Sequence, residues 1–154
     1  MQKRLLRWEL IGFAFTGAVG TLLHFVYEWT GGNPLIAAFC AVNESTWEHM
    51  KLFITPWVLW SLVECIALRG HGSLLPARGL GLLAGLAAIP ALFYTYQGIL
   101  GRGIMWVDVL IFQLAVLLAF IMMQAQVTTF AEAATLIPTT GSVYDYISCG
   151  MGRF

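Results

Sequence analysis

The sequence predicts an all-α fold: a polytopic membrane bundle of four transmembrane helices plus a short broken or re-entrant segment. Three observations predict it. Of the 154 residues, 59% are hydrophobic and only 10% charged, against about 25% charged in ordinary soluble domains. The mean hydropathy is +0.79. Apolar runs long enough to cross about 30 Å of hydrocarbon recur along the chain, separated by glycine-rich, proline-rich or charged breaks. Eight basic and eight acidic side chains cancel, so no net field gathers polyanions. The expected surroundings are a lipid bilayer and not nucleic acid, with homo-oligomerisation left open. Cys40, Cys65 and Cys149 are far apart and form no C-x-x-C pair. They read as small apolar fillers and not as a disulfide or zinc framework.

The transmembrane domain is expected over residues 1–124. Its first span, 10–29, follows Lys3, Arg4 and Arg7 and is broken only by Thr16, Thr21, His24 and Glu28 before Trp29. The run exceeds a signal-peptide core and no A-x-A site follows, so it reads as a retained anchor. Residues 34–68 as one helix would be about 50 Å long, too long for one crossing. The break falls at Asn43-Glu44-Ser45, because Ser45-Thr46-Trp47-Glu48 matches the S-x-x-E capping box that opens a helix. Residues 46–68 are then the second span, with Pro56 as a kink. Residues 34–42 are apolar but short, and form either a re-entrant half-helix or a segment in the interface.

Residues 79–100 carry no charge, and 103–124 carry only Asp108, which makes them the third and fourth spans, joined at Gly101-Arg102-Gly103. Gly79, Gly81 and Gly85 would let a neighbouring helix approach closely. Beyond Gln124 the hydropathy falls, and residues 125–154 are expected to be a weakly structured tail. Lys3, Arg4, Arg7, Arg69 and Arg78 lie on one side of the four spans, with Lys51 and Arg102 on the other. The positive-inside rule puts the N-terminus in the cytoplasm.

The ionisable residues gather at the other, outer end. His24 and Glu28 are four apart on the first helix. Asn43, Glu44, Glu48, His49 and Lys51 stand at the start of the second span, Tyr94 and Gln97 end the third, and Asp108 begins the fourth. Charges at membrane depth mark functional cavities by default. Each also has a plainer reading: a helix pair for His24 and Glu28, a cap or a Lys51 partner for Glu48, a macrodipole contact for Asp108, belt residues for Trp29, Trp47 and Trp106. Glu64 lies toward the opposite end, where Arg69 would neutralise it. Two imidazoles and several carboxylates in one leaflet match the ligands of a divalent metal ion, and equally a proton relay. His24, Glu28 and His49 are the expected metal ligands, with Glu48 or Glu44 as a base acting on bound water.

The stretch His24-Phe25-Val26-Tyr27-Glu28-Trp29, followed by Asn43-Glu44-Ser45-Thr46-Trp47-Glu48-His49-Met50-Lys51, resembles an uncharacterised family of small multi-pass bacterial membrane proteins. The resemblance covers residues 10–51 and implies a bacterial inner-membrane location, without an activity. Three functions remain: an ion-coupled transporter or channel-like protein, a metal-dependent intramembrane hydrolase, and a structural or partner-binding subunit. Whether the protein is an enzyme stays open on the sequence.

Overall fold

A computed structural model describes residues 2–68 and 74–136. Five helices follow one another: α1 (Gln2–Trp29), α2 (Pro34–Ala37), α3 (Thr46–Ala67), α4 (Leu74–Leu100) and α5 (Met105–Leu136), with no strand among the described residues. Four of them, α1, α3, α4 and α5, are long and apolar enough to cross a membrane. Their main contacts run α1 to α3, α3 to α4, α4 to α5 and α5 back to α1, which closes the bundle into a ring.

The pattern of burial explains why the helices need a membrane. On α5, Ile111, Phe112, Ala115, Val116, Ala119, Phe120 and Met123 point inward. Leu110, Leu114, Leu117, Leu118, Ile121 and Met122 point outward and are exposed. A helix apolar all round must have hydrocarbon on its outer face. The core is aromatic, with Trp57 of α3 packed on Phe53 at 5.2 Å and on Phe120 of α5 at 4.8 Å between ring centres.

Close backbone approach holds the ring together. A Cβ at Gly81 would lie 2.7 Å from the Ala119 carbonyl oxygen and 2.8 Å from Trp57, and one at Gly85 2.5 Å from Phe53, whereas Gly79 faces open space. Of these three α4 glycines, Gly81 and Gly85 therefore serve helix packing. Pro56 sits inside α3 and has no N–H to give the carbonyl four residues back. The α1 backbone comes close to that carbonyl, of Leu52, since a Cβ at Gly20 would lie 2.7 Å from it.

The chain leaves α1 through Gly31 and Gly32, both at positive φ (67° and 77°). The Gly32 N–H donates to the Tyr27 carbonyl at 3.0 Å and the Gly31 N–H to that of Glu28 at 3.1 Å, a left-handed helix stop that glycine adopts without strain. Asn33 then caps a single turn, its side chain accepting from the Leu35 N–H, with Pro34 in the first position. Of the apolar stretch 34–42, only Pro34–Ala37 is helical. The stretch folds back along α3: Lys51 Nζ donates to the Ala37 carbonyl at 2.9 Å, and Thr55 Oγ1 to that of Phe39 at 3.1 Å. Thr55 lies nine residues into α3, so at 1.5 Å per residue the strap descends about 14 Å beside it before climbing back.

Three expectations need correction. First, α4 begins at Leu74 and not at residue 79, so Arg78 is no loop residue but a buried one. Second, Glu64 pairs with Arg78, whose Nη2 donates to its Oε2, while Arg69 lies outside the described residues. Glu9 of α1, buried as well, stands 3.5 Å from the same guanidinium. Third, α5 continues to Leu136, twelve residues past the point where the tail was expected. Thr128 and Thr129 do not break it because their hydroxyls donate to the carbonyls of Gln124 and Ala125 on the same helix. Residues 137–154 lie outside the described residues.

Candidate metal centre

At the end of the bundle where α1 stops and α3 starts, three potential ligands meet. His24 is in the last turns of α1, Glu44 in the turn before α3, and His49 in its first turn. One ligand atom from each lies within 4.8 Å of the other two. His24 Nε2 is 3.6 Å from Glu44 Oε1, and His49 Nε2 is 3.6 Å from Glu44 Oε2. The two rings face each other with centres 5.3 Å apart.

Local chemistry explains the convergence. Asn43 Oδ1 accepts from the Ser45 N–H at 3.0 Å, an Asx turn that reverses the chain at Glu44. Ser45 Oγ accepts from the Glu48 N–H at 3.3 Å and so caps α3. The Ser45 carbonyl accepts from His49 Nδ1 at 2.9 Å. A carbonyl has no proton to give, so Nδ1 carries a hydrogen, which leaves Nε2, on the Glu44 side, as the nitrogen that a metal would use. This is the arrangement that a metal-binding imidazole requires of its second nitrogen.

The separations are informative. At 3.6 Å the N···O pairs are longer than the 2.7–3.2 Å of a hydrogen bond. They approach the edge of a tetrahedron with bonds near 2.1 Å, about 3.4 Å. Glu44 is 83% exposed, His24 29% and His49 19% in their side chains, so the centre opens outward.

Of the expected ligands, the structure brings His24 and His49 together. Glu28 is exposed and lines the same small cavity beside His24, Tyr27, Asn43 and Glu44, but Glu44 completes the group of three. Glu48 is engaged elsewhere, accepting from Lys51 Nζ at 2.5 Å and from the Val42 N–H at 3.0 Å. The capping box is thus half built, because the Ser45 N–H goes to Asn43 and not to Glu48. Lys51 ties the strap down. Asp108 and Gln97 belong to a separate network at the turn between α4 and α5. There the Tyr96 hydroxyl donates to Asp108 Oδ1 and accepts from the Ile104 N–H at 3.2 Å, with Gln97 beside Gly103. Tyr94 is exposed and packs against Phe93. Sequence reasoning read Glu44 as a base and not a ligand. The readable signal was Asn43 two residues before Ser45, the spacing of the turn that swings Glu44 toward both imidazoles.

Fold and site together define a multi-pass helical membrane protein with a His/Glu group at one end of its bundle. The chain matches Family of unknown function (DUF6512) over residues 1–143 and belongs to that family. No curated protein and no solved structure matches it.

Proposed function

We propose that this membrane protein binds a divalent cation of the zinc class at His24, Glu44 and His49, in the extracytoplasmic leaflet, as part of an ion-coupled transport or channel-like role. The observation that carries the reading is the convergence of three donors from three chain segments, one ligand atom of each within 4.8 Å of the others, with the His49 Nδ1 hydrogen held by the Ser45 carbonyl. Nitrogen and carboxylate donors suit a borderline ion. Glu28 and Asn43 on the cavity wall offer further oxygen donors to an ion that enters or leaves.

A second reading rests on the ligand count. Three protein ligands leave a fourth position for water, the pattern of hydrolytic zinc sites, and a carboxylate such as Glu28 in the same cavity would accept the proton of that water. The membrane in this reading is the bacterial cytoplasmic one, with the N-terminus inside. Lys3, Arg4 and Arg7 support that orientation, although Arg78, being buried, leaves the loop count. A periplasm-active reporter fused after Gly101 is expected to be active, and a silent one overturns the orientation.

The decisive test is zinc titration of the purified full chain in detergent, followed by calorimetry and thermal unfolding. One bound ion per chain is expected, with binding lost in His24→Ala, His49→Ala and Glu44→Gln. Binding unchanged in all three variants, or none in the parent, defeats the proposal.

A further inference from the structure

A second group of ionisable side chains lies at the far end of the bundle, where α1 and α4 begin and α3 ends. Glu9, Glu64 and Arg78 are 4%, 0% and 2% exposed. Arg78 Nη2 donates to Glu64 Oε2 and stands 3.5 Å from Glu9 Oε2. Its guanidinium carbon is 4.9 Å from the Trp57 ring centre and 5.1 Å from that of Phe120. Two aromatic faces therefore fix the cation in place.

The charges do not balance. Two carboxyls face one guanidinium, and no further cation reaches them among the described residues. Arg4 and Arg7 of α1 are exposed. On α3 no charged residue lies between Lys51, at the other end, and Glu64, and the neighbour of Glu64 is the thiol Cys65. After Arg78, α4 carries no charge. Between Asp108 and Glu132, α5 carries none either, and it meets Arg78 with Phe120. Both oxygens of Glu9 and Oε1 of Glu64 are buried without a hydrogen-bond partner, as is Trp60 Nε1, which lies against Gly12 one turn from Glu9. A buried excess charge is unfavourable, and the least demanding remedy is a proton.

We propose that Glu9, Glu64 and Arg78 form a proton-binding site, with Glu9 as the carrier. Glu64 holds the close hydrogen bond from Arg78 and stays ionised. Glu9, 3.5 Å from the guanidinium, makes no hydrogen bond through either oxygen, so a proton from water adds to its carboxylate and leaves the group neutral. A metal cation is disfavoured, since the pinned guanidinium already holds the positive charge. The site is independent of the zinc reading at the other end and survives if that reading fails.

Infrared titration of the full chain in detergent tests the proposal. An ordinary glutamate, with a pKa of about 4.3, is ionised at about pH 7. The expected result is a protonated-carboxyl stretch that persists at that pH, shifts in D2O, and is lost in Glu9→Gln but kept in Glu132→Gln. Glu9→Asp, which retains the acid, should shift the band in place of removing it, and serves if the Gln variant fails to fold. Absence of the band at neutral pH in the parent overturns the site, and a band that survives Glu9→Gln overturns the assignment to Glu9. Stabilisation by sodium chloride but not choline chloride at fixed pH, lost in Glu9→Gln, overturns the proton in favour of a metal cation.

Discussion

Each end of the bundle carries a group of three ionisable side chains, in opposite surroundings. At one end, His24, Glu44 and His49 sit at an open rim, with Glu44 83% exposed. At the other, Glu9, Glu64 and Arg78 are sealed beneath Trp57 and Phe120. Water solvates the open group, so its members need not satisfy one another and can wait for a ligand. The sealed group has no solvent to fall back on, so it must settle its charge internally. Access is therefore divided between the ends: one is open to solvent, the other closed to it.

Substitutions can break this contrast. The largest effect is expected at the sealed end, where Arg78→Met leaves the buried Glu64 carboxylate without its cation and should cost about 3–5 kcal/mol. Denaturant unfolding in detergent measures it, and a loss below about 1 kcal/mol would mean the group is hydrated. At the open end, Glu44→Gln should change metal-free stability by no more than about 0.5 kcal/mol. The same change should abolish the stabilisation by zinc, about 2.7 kcal/mol in the parent at a hundredfold excess over Kd.

Between the ends, Gly81→Ala should cost about 1–3 kcal/mol through overlap with the Ala119 carbonyl and Trp57. Gly79→Ala faces open space and should gain up to about 1 kcal/mol of helix propensity. Equal effects in thermal unfolding would refute the packing of α4 on α5 through Gly81. The smallest pair is at the start of α3. Ser45→Ala removes the cap and should cost about 1 kcal/mol. Glu48→Gln keeps that cap and loses the ion pair with Lys51, for less than about 1 kcal/mol. A larger loss for Glu48→Gln would show that the strap depends on that ion pair.

Hydropathy made the spanning helices legible because a membrane selects for uninterrupted apolar length. The Ser45 cap and the break at Asn43 were legible because both are written within three residues. The partnership of Glu9 with Arg78 was not, since 69 positions separate them and only the closed ring makes them neighbours. Arg78 read as a loop charge because it precedes Gly79 and follows Arg69, a local pattern that the burial of α4 overrides. Likewise Asp108 seemed to belong with the histidines by depth alone, while its partner Tyr96 lies across the turn on α4. Depth follows from sequence in a bundle; azimuth around it does not.

The strap between α1 and α3 also sets how the proposed centre works. Two of its three donors, His24 and His49, ride on helices, whereas Glu44 hangs on a ribbon fastened by the Lys51 and Thr55 side chains to the carbonyls of Ala37 and Phe39. In the proposed centre two donors are therefore carried by helices and the third by a turn at the end of that ribbon. If the proposed centre binds its ion, Thr55→Val or Lys51→Met should weaken zinc binding while leaving every ligand atom chemically intact, because each removes a hydrogen bond that holds the ribbon.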